Sequence, residues 1–250
     1  MRRLPVYLLL DTSGSMGGEP IEAVKNGVQV MISSLRQNPQ AIETAFISVI
    51  TFDSSARQII PLTDLSAFQM LDIKAQGTTA LGEALKVVSN CIDNEVAKTT
   101  AETKGDWKPL VFIMTDGNPT DDWQNGLNEF RKRKVAFTVA CAAGSGADTN
   151  ILKQITESVV SLDTADSQSI SKFFAWVTAS IGVSSTKVED SGKEVTGLNE
   201  LPPPPSELNI VVEKPIFNNG QIWIFLFLEK AFRHYKCKTK FCEKDRCAYI

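Results

Sequence analysis

Apolar residues follow two rhythms along this chain. Short unbroken runs such as Val6-Tyr7-Leu8-Leu9-Leu10 and Leu110-Val111-Phe112-Ile113-Met114 read as buried strands. Between them lie longer stretches with apolar residues every three or four positions, as in Ile21, Val24, Val28, Met31, Ile32 and Leu35, the mark of an amphipathic helix. Pro20 suits the first turn of that helix, and Asn38-Pro39 ends it. The same reasoning predicts further strands at Ala45–Phe52, Val135–Ala140 and Val159–Leu162. It predicts helices at Leu81–Val96, Trp123–Lys132, Thr149–Ile155 and Ser169–Ile181, the last with Phe173, Phe174 and Val177 inward. Asp53-Ser54-Ser55 reads as a hairpin turn into Ala56–Pro61, an antiparallel edge strand.

Strands alternating with helices predict an α/β fold: a doubly wound, mostly parallel sheet with one antiparallel edge strand and helices on both faces. In such sheets ligands bind beyond the carboxyl ends of the strands. Asp11 and Asp116 each directly follow or end such a run, which is the physical reason to pair residues so far apart in sequence. The pattern changes after residue 183. Residues 184–206 are polar and end in Pro202-Pro203-Pro204-Pro205, a linker or strap. Residues 207–250 read as a small module: Leu208–Val212 and Gln221–Leu228 as strands around the turn signal Asn218-Asn219-Gly220, then a basic tail rich in cysteine. The expected domains are therefore 1–183, 184–206 and 207–250.

With 250 residues and 43% hydrophobic content the chain can bury one sizeable core and a small extra module. A net charge of −3 argues against a general nucleic-acid binder. No run reaches the ~20 apolar residues of a membrane helix, and Asp11 cuts short the apolar run after Met1-Arg2-Arg3 before it can serve as a signal peptide. Cys91 and Cys141 sit in apolar patterns, so a reduced, cytoplasmic protein is expected.

Three oxygen-rich clusters carry the chemistry. Asp11-Thr12-Ser13-Gly14-Ser15 follows the first strand, Gly77-Thr78-Thr79 precedes a helix, and Thr115-Asp116-Gly117 closes the central strand. Carboxylates and hydroxyls are hard ligands, suited to Mg²⁺, Mn²⁺ or Ca²⁺. Taken alone, D-x-S at a strand end also suits an ordinary helix cap. D-x-S-x-S, a Gly-Thr and a strand ending in T-D-G, in that order, resemble the metal-ion-dependent adhesion site of von Willebrand factor A domains, over roughly Leu4 to Val183. The stretches "VYLLLDTSGSMGGEPIEAVKNGV" and "PLVFIMTDGNPTDDW" resemble bacterial TerY-type members linked to tellurium resistance.

The resemblance implies a site in which Ser13 and Ser15 bind the ion directly, Asp11 and Asp116 bind directly or through water, and Thr78 adds a hydroxyl. Thr78 is preferred to Thr79 because it directly follows Gly77, as in the family's Gly-Gly-Thr; Gln76 stands for the first Gly. Neutral hydroxyl ligands leave the cation electrophilic, so it can accept a partner's carboxylate. Gly14 and Gly17-Gly18 permit the tight turn that gathers the ligands. Asp121-Asp122 are either acids behind the site or the start of the Trp123 helix, and Asp53 reads as a turn residue.

In the tail, His234, Cys237, Cys242 and Cys247 have the spacing H-x₂-C-x₄-C-x₄-C, a sound tetrahedral zinc set; a basic tail with free thiols is the alternative. The spacing resembles a retroviral-type zinc knuckle with His displaced, and some TerY-type proteins resemble this layout.

The resulting expectation is a non-enzymatic module that grips an acidic residue of another protein through its metal. The TerY resemblance implies a tellurite and stress-response role, with a protein kinase and a metal-dependent phosphatase as candidate partners. The rival is a Mg²⁺-dependent phosphatase of haloacid dehalogenase type, which also follows its first strand with D-x-D. Here Ser13 replaces the second Asp, the general acid of those enzymes.

Overall fold

The structure, a computed structural model, describes residues 2–70, 72–195, 197 and 200–211. Seven strands form one sheet: β1 (Leu4–Asp11), β2 (Ala45–Phe52), β3 (Ala56–Asp64), β4 (Leu110–Thr115), β5 (Phe137–Ala143), β6 (Val159–Leu162) and β7 (Asn209–Ile210), in the order β3-β2-β1-β4-β5-β6-β7. The five central strands run parallel, and β3 and β7 are antiparallel. The sheet thus has two antiparallel edges where the sequence predicted one.

The side chains of β1 explain the layers. Leu4, Val6, Leu8 and Leu10 point to one face and pack with α1 (Glu19–Leu35) and α6 (Ser167–Ser191); α2 (Pro39–Thr44) adds Ala41. Tyr7 and Leu9 point to the other, against α3 (Leu81–Glu95), α4 (Trp123–Phe130) and α5 (Thr149–Ile155). Both faces are apolar because both are covered. α2 was missed because Asn38-Pro39 acts as a stop and a start at once. The Asn38 side chain accepts from the Ala41 amide at 2.9 Å, and Pro39 opens the new helix.

The larger departure from the sequence reading follows Ile181. α6 continues to Ser191, and Gly192, with φ +60°, ends it in the left-handed conformation. The segment beyond returns along the domain. Val195, Leu201 and Leu208 are buried in the α1/α6 core, and the Trp176 indole donates to the Pro202 carbonyl at 2.9 Å. Asn209–Ile210, expected to open the C-terminal module, instead pairs with β6. The strap is thus part of the domain, and its prolines suit a path that makes no ladder. The strand expected at Gln221–Leu228 and the Cys/His tail lie outside the described residues.

Candidate metal centre

Chain direction across the sheet reverses between β1 and β4: β2 and β3 lie to one side of β1, and β4, β5 and β6 to the other. The loops after β1 and β4 diverge there and leave a crevice. Leu10 is level with Met114, so Asp11 and Thr115 end neighbouring strands.

Asp11 is wholly buried. Its Oδ1 accepts from the Ser13 amide at 2.7 Å and its Oδ2 from the Thr115 hydroxyl at 2.5 Å. The hydroxyls of Ser13 and Ser15 lie 3.0 Å apart, and Ser15 Oγ donates to Asp116 Oδ1 at 2.7 Å. Four predicted ligands, Asp11, Ser13, Ser15 and Asp116, thus form one connected oxygen cluster. The loop is held by the Gly14 amide on the Gly77 carbonyl at 3.0 Å and the Gln76 amide on the Thr12 carbonyl at 2.8 Å.

Thr78 does not join them. Its side chain is exposed, and its amide and hydroxyl both donate to Ser54 Oγ, at 3.1 and 3.3 Å. Thr79 is the buried one of the pair. A methyl group placed on Gly117, next to Asp116, would lie 3.2 Å from Thr79 Oγ1 and 3.9 Å from Ser15 Oγ. The hydroxyl facing the cluster is therefore that of Thr79, and the preference for Thr78 is corrected. Gly77 sets this arrangement: its φ is +70°, and a Cβ there would lie 2.3 Å from Ser54 Oγ.

The remaining acids have other work. Asp121 accepts from the amides of Gly82 and Glu83 at the start of α3, at 3.0 and 2.8 Å. Asp122 accepts from Asn125 at the start of α4. Asp53 turns the β2–β3 hairpin, accepting from the Ser55 amide at 3.1 Å. Thr115 is the residue that the sequence reading left without a role.

Electrostatics decide whether this cluster fits a cation. Burial pushes the Asp11 carboxyl above its ordinary value, and the Asp116 charge adds to that; the hydrogen bonds from Thr115 and Ser13 oppose it. Burial also raises Asp116, against its bond from Ser15. Among the described residues neither carboxylate has an ion-pair partner. One buried and one half-buried acid, with three hydroxyls beside them, are a donor set matched to a hard divalent ion. His234, Cys237, Cys242 and Cys247 lie outside the described residues.

A sheet with this strand order, bearing this cluster at its switch point, defines an A-type domain. The chain belongs to the von Willebrand factor type A domain family, whose model matches residues 6–175. It is 33% identical over 123 residues to an uncharacterized protein of Synechocystis (sll0103), covering 46% of this chain and 26% of that protein. Its fold is similar to that of proximal thread matrix protein 1 from mussel byssus with a zinc-occupied MIDAS motif. The TM-score is 0.53 at 22% identity, over 71% of this chain and 45% of that one. It is also similar to a von Willebrand factor type A protein from Catenulispora acidiphila, with TM-score 0.54 at 18% identity, over 73% and 43% of the two chains. The chain thus spans about a quarter of the cyanobacterial relative and less than half of each solved protein. Among the described residues no helix is long and apolar enough to cross a membrane.

Proposed function

We propose that this protein is a metal-dependent protein-binding module. Asp11, Ser13, Ser15, Thr79 and Asp116 would hold Mg²⁺, with Mn²⁺ or Ca²⁺ as substitutes, and an Asp or Glu of another protein would complete the coordination. The observation that carries this reading is the buried Asp11 carboxylate linked through the Ser13 and Ser15 hydroxyls to the half-buried Asp116 carboxylate, neither paired with a lysine or arginine among the described residues. When bound, the ion supplies the positive charge that a partner's acid seeks. The chain's own residues set its position: Thr115 and the Ser13 amide fix Asp11, and Ser15 fixes Asp116. Ser13 bonds Ser15 where a phosphatase would need a general acid, which favours binding over catalysis.

Three finer readings rest on sequence motifs. The TerY-like stretches around Asp11 and Asp116 support a cytoplasmic role in tellurite and stress responses. They also support a protein kinase and a metal-dependent phosphatase as partners. The spacing of His234, Cys237, Cys242 and Cys247 supports one structural zinc in the tail.

The test is affinity capture of partners with and without chelator, using the wild type, Asp11→Ala and Ser13→Ala. Capture should need divalent metal and be lost in both variants. Capture that persists in chelator with both variants would refute the reading.

A further inference from the structure

The net charge of −3 is unevenly spread. The connections leaving the carboxyl ends of the five parallel strands are residues 12–18, 53–55, 116–122, 144–148 and 163–166; residues 65–80, which return from the antiparallel β3 and carry Asp72 and Lys74, are not among them. Together the five connections carry seven aspartates and no lysine, arginine or histidine. The opposite pole is mixed: Arg131-Lys132-Arg133-Lys134 leads into β5 and Lys98, Lys104 and Lys108 lie on the approach to β4, with Lys132 and Arg133 paired to Glu129 and Arg133 also to Asp93.

Two of these acids are tied to segments beside the metal loop. Asp148 follows β5, and its amide donates to the side chain of Asn118, two residues beyond Asp116, at 2.8 Å. Glu19 opens α1 directly after the metal loop and accepts from the amide and hydroxyl of Ser167 at 3.0 and 2.8 Å, which brings Asp166 beside it. Hydrogen bonds from Ser167 hold Glu19 below the usual carboxylate range, and bonds from Thr164 and Ser169 do the same for Asp166. Asp163 is exposed, bonded to Asn209 at 3.0 Å.

Several of these aspartates cap helices, which satisfies their oxygens but leaves their charge. Among the described residues, the one cation paired with any of the seven is Arg57, 3.6 Å from Asp53. A bound dication offsets only two negative charges. An acidic partner approaching this face is drawn by the ion and repelled by the ring around it.

Resting on the proposed metal-dependent binding, we infer that the partner presents its carboxylate from a positively charged surface, with lysines or arginines flanking the acid. The ion takes the carboxylate and the ring of aspartates takes the flanking cations. An acid set in a neutral or acidic surface is selected against. Each unscreened pair of charges about 10 Å apart in water shifts an equilibrium roughly twofold. Several such pairs together give about tenfold, and salt removes much of it once the screening length falls below ~10 Å.

The experiment uses the full chain, saturating Mn²⁺ and fluorescent five-residue peptides read by anisotropy. The central Asp is flanked on both sides by Lys, Ser or Glu, and each peptide has an Asn-centred control. Mn²⁺ affinity is measured separately by calorimetry. The lysine-flanked peptide should bind about tenfold tighter than the serine-flanked one at low salt, and the gap should close at high salt. The Asn-centred version should bind much more weakly. The triple variant Asp148→Asn, Asp163→Asn and Asp166→Asn, in which asparagine keeps the caps, should reduce the lysine preference severalfold when read at a Mn²⁺ concentration that saturates the variant, since losing these charges also weakens Mn²⁺ binding severalfold. Normal Mn²⁺ binding with no effect of the flanks, or equal binding of the glutamate-flanked peptide, would overturn the inference alone. Equal binding of the Asn-centred lysine peptide would overturn it as well, since the ion would then take no part. Absence of Mn²⁺ binding would overturn the metal reading, and the inference with it.

Discussion

Thr115→Val should weaken both the fold and the metal site, although the valine fills nearly the same space. The Thr115 hydroxyl donates to Asp11 Oδ2 at 2.5 Å and accepts from the Gly117 amide at 3.3 Å. Both Thr115 and Asp11 are fully buried, so no water replaces the lost donor. A hydrogen bond to a charged acceptor contributes roughly 1.5–3 kcal/mol, and an unsatisfied buried carboxylate oxygen costs at least that. About 2 kcal/mol in a domain of this size lowers the melting temperature by about 4–8 °C. The freed Asp11 also loses its orientation, and losing such a supporting contact typically costs about 10–100-fold in metal affinity. Thermal melts in chelator measure the first effect and calorimetry with Mn²⁺ the second. Thr115→Ser keeps the hydroxyl and should restore most of both. If valine and serine variants melt together and bind Mn²⁺ equally, the Thr115–Asp11 contact does not order the site.

Three further expectations come from the structure and a fourth from the tail's sequence spacing. Thr79→Ala should lower Mn²⁺ affinity about tenfold or more while Thr78→Ala leaves it near wild type; calorimetry with the two variants reversed in order would restore Thr78 as the ligand. Gly146→Ala should weaken metal binding without touching the ion, because its Cβ would lie 2.3 Å from the Asp116 carbonyl oxygen and the loop must open to at least 3.0 Å; unchanged affinity would show that the loop after β5 yields freely. Stability should fall as pH rises from about 9 to about 11, because burial pushes the Cys91 thiol up to about 11 and also raises Cys141 and Tyr7, so that the unfolded chain sheds these protons first; flat denaturant midpoints across that range would contradict it. Elemental analysis of protein purified without added metal should find about one zinc per chain if His234, Cys237, Cys242 and Cys247 form a structural site, and free reaction of all three tail thiols would exclude it.

Legibility from sequence depended on how local each signal was. Strands Ala45–Phe52, Leu110–Thr115 and Val159–Leu162 and helix Thr149–Ile155 lie where apolar runs and spacing place them, since their neighbours in sequence define them. The last ten residues of α6 were missed because a helix that buries Ser184 and Ser185 presents little apolar periodicity. β7 was assigned to the wrong unit because a two-residue strand is defined by its partner β6, not by its own composition. Asp11, Ser13, Ser15 and Asp116 were readable because the first and last end or follow buried strands and the serines alternate in one loop. The choice of Thr79 over Thr78 required the path of Gly77 against Ser54. The role of Thr115 required the register of β1 with β4, which no local motif records.

The two antiparallel edges bear on how this protein avoids sticking to itself. A sheet that ended on a long, regular strand would offer an open row of amides and carbonyls to any extended chain. On one side β3 is interrupted by register shifts opposite Val49 and carries Pro61, both of which spoil a regular template. On the other side β6 is covered by a strand of only two residues, reached through four consecutive prolines that have no amide hydrogen to donate. A version cut at residue 183 would bare β6 and leave the Trp176 indole without its carbonyl. Such a fragment should be prone to strand exchange and fibril-like self-association, while the chain carrying its own strap should stay dispersed.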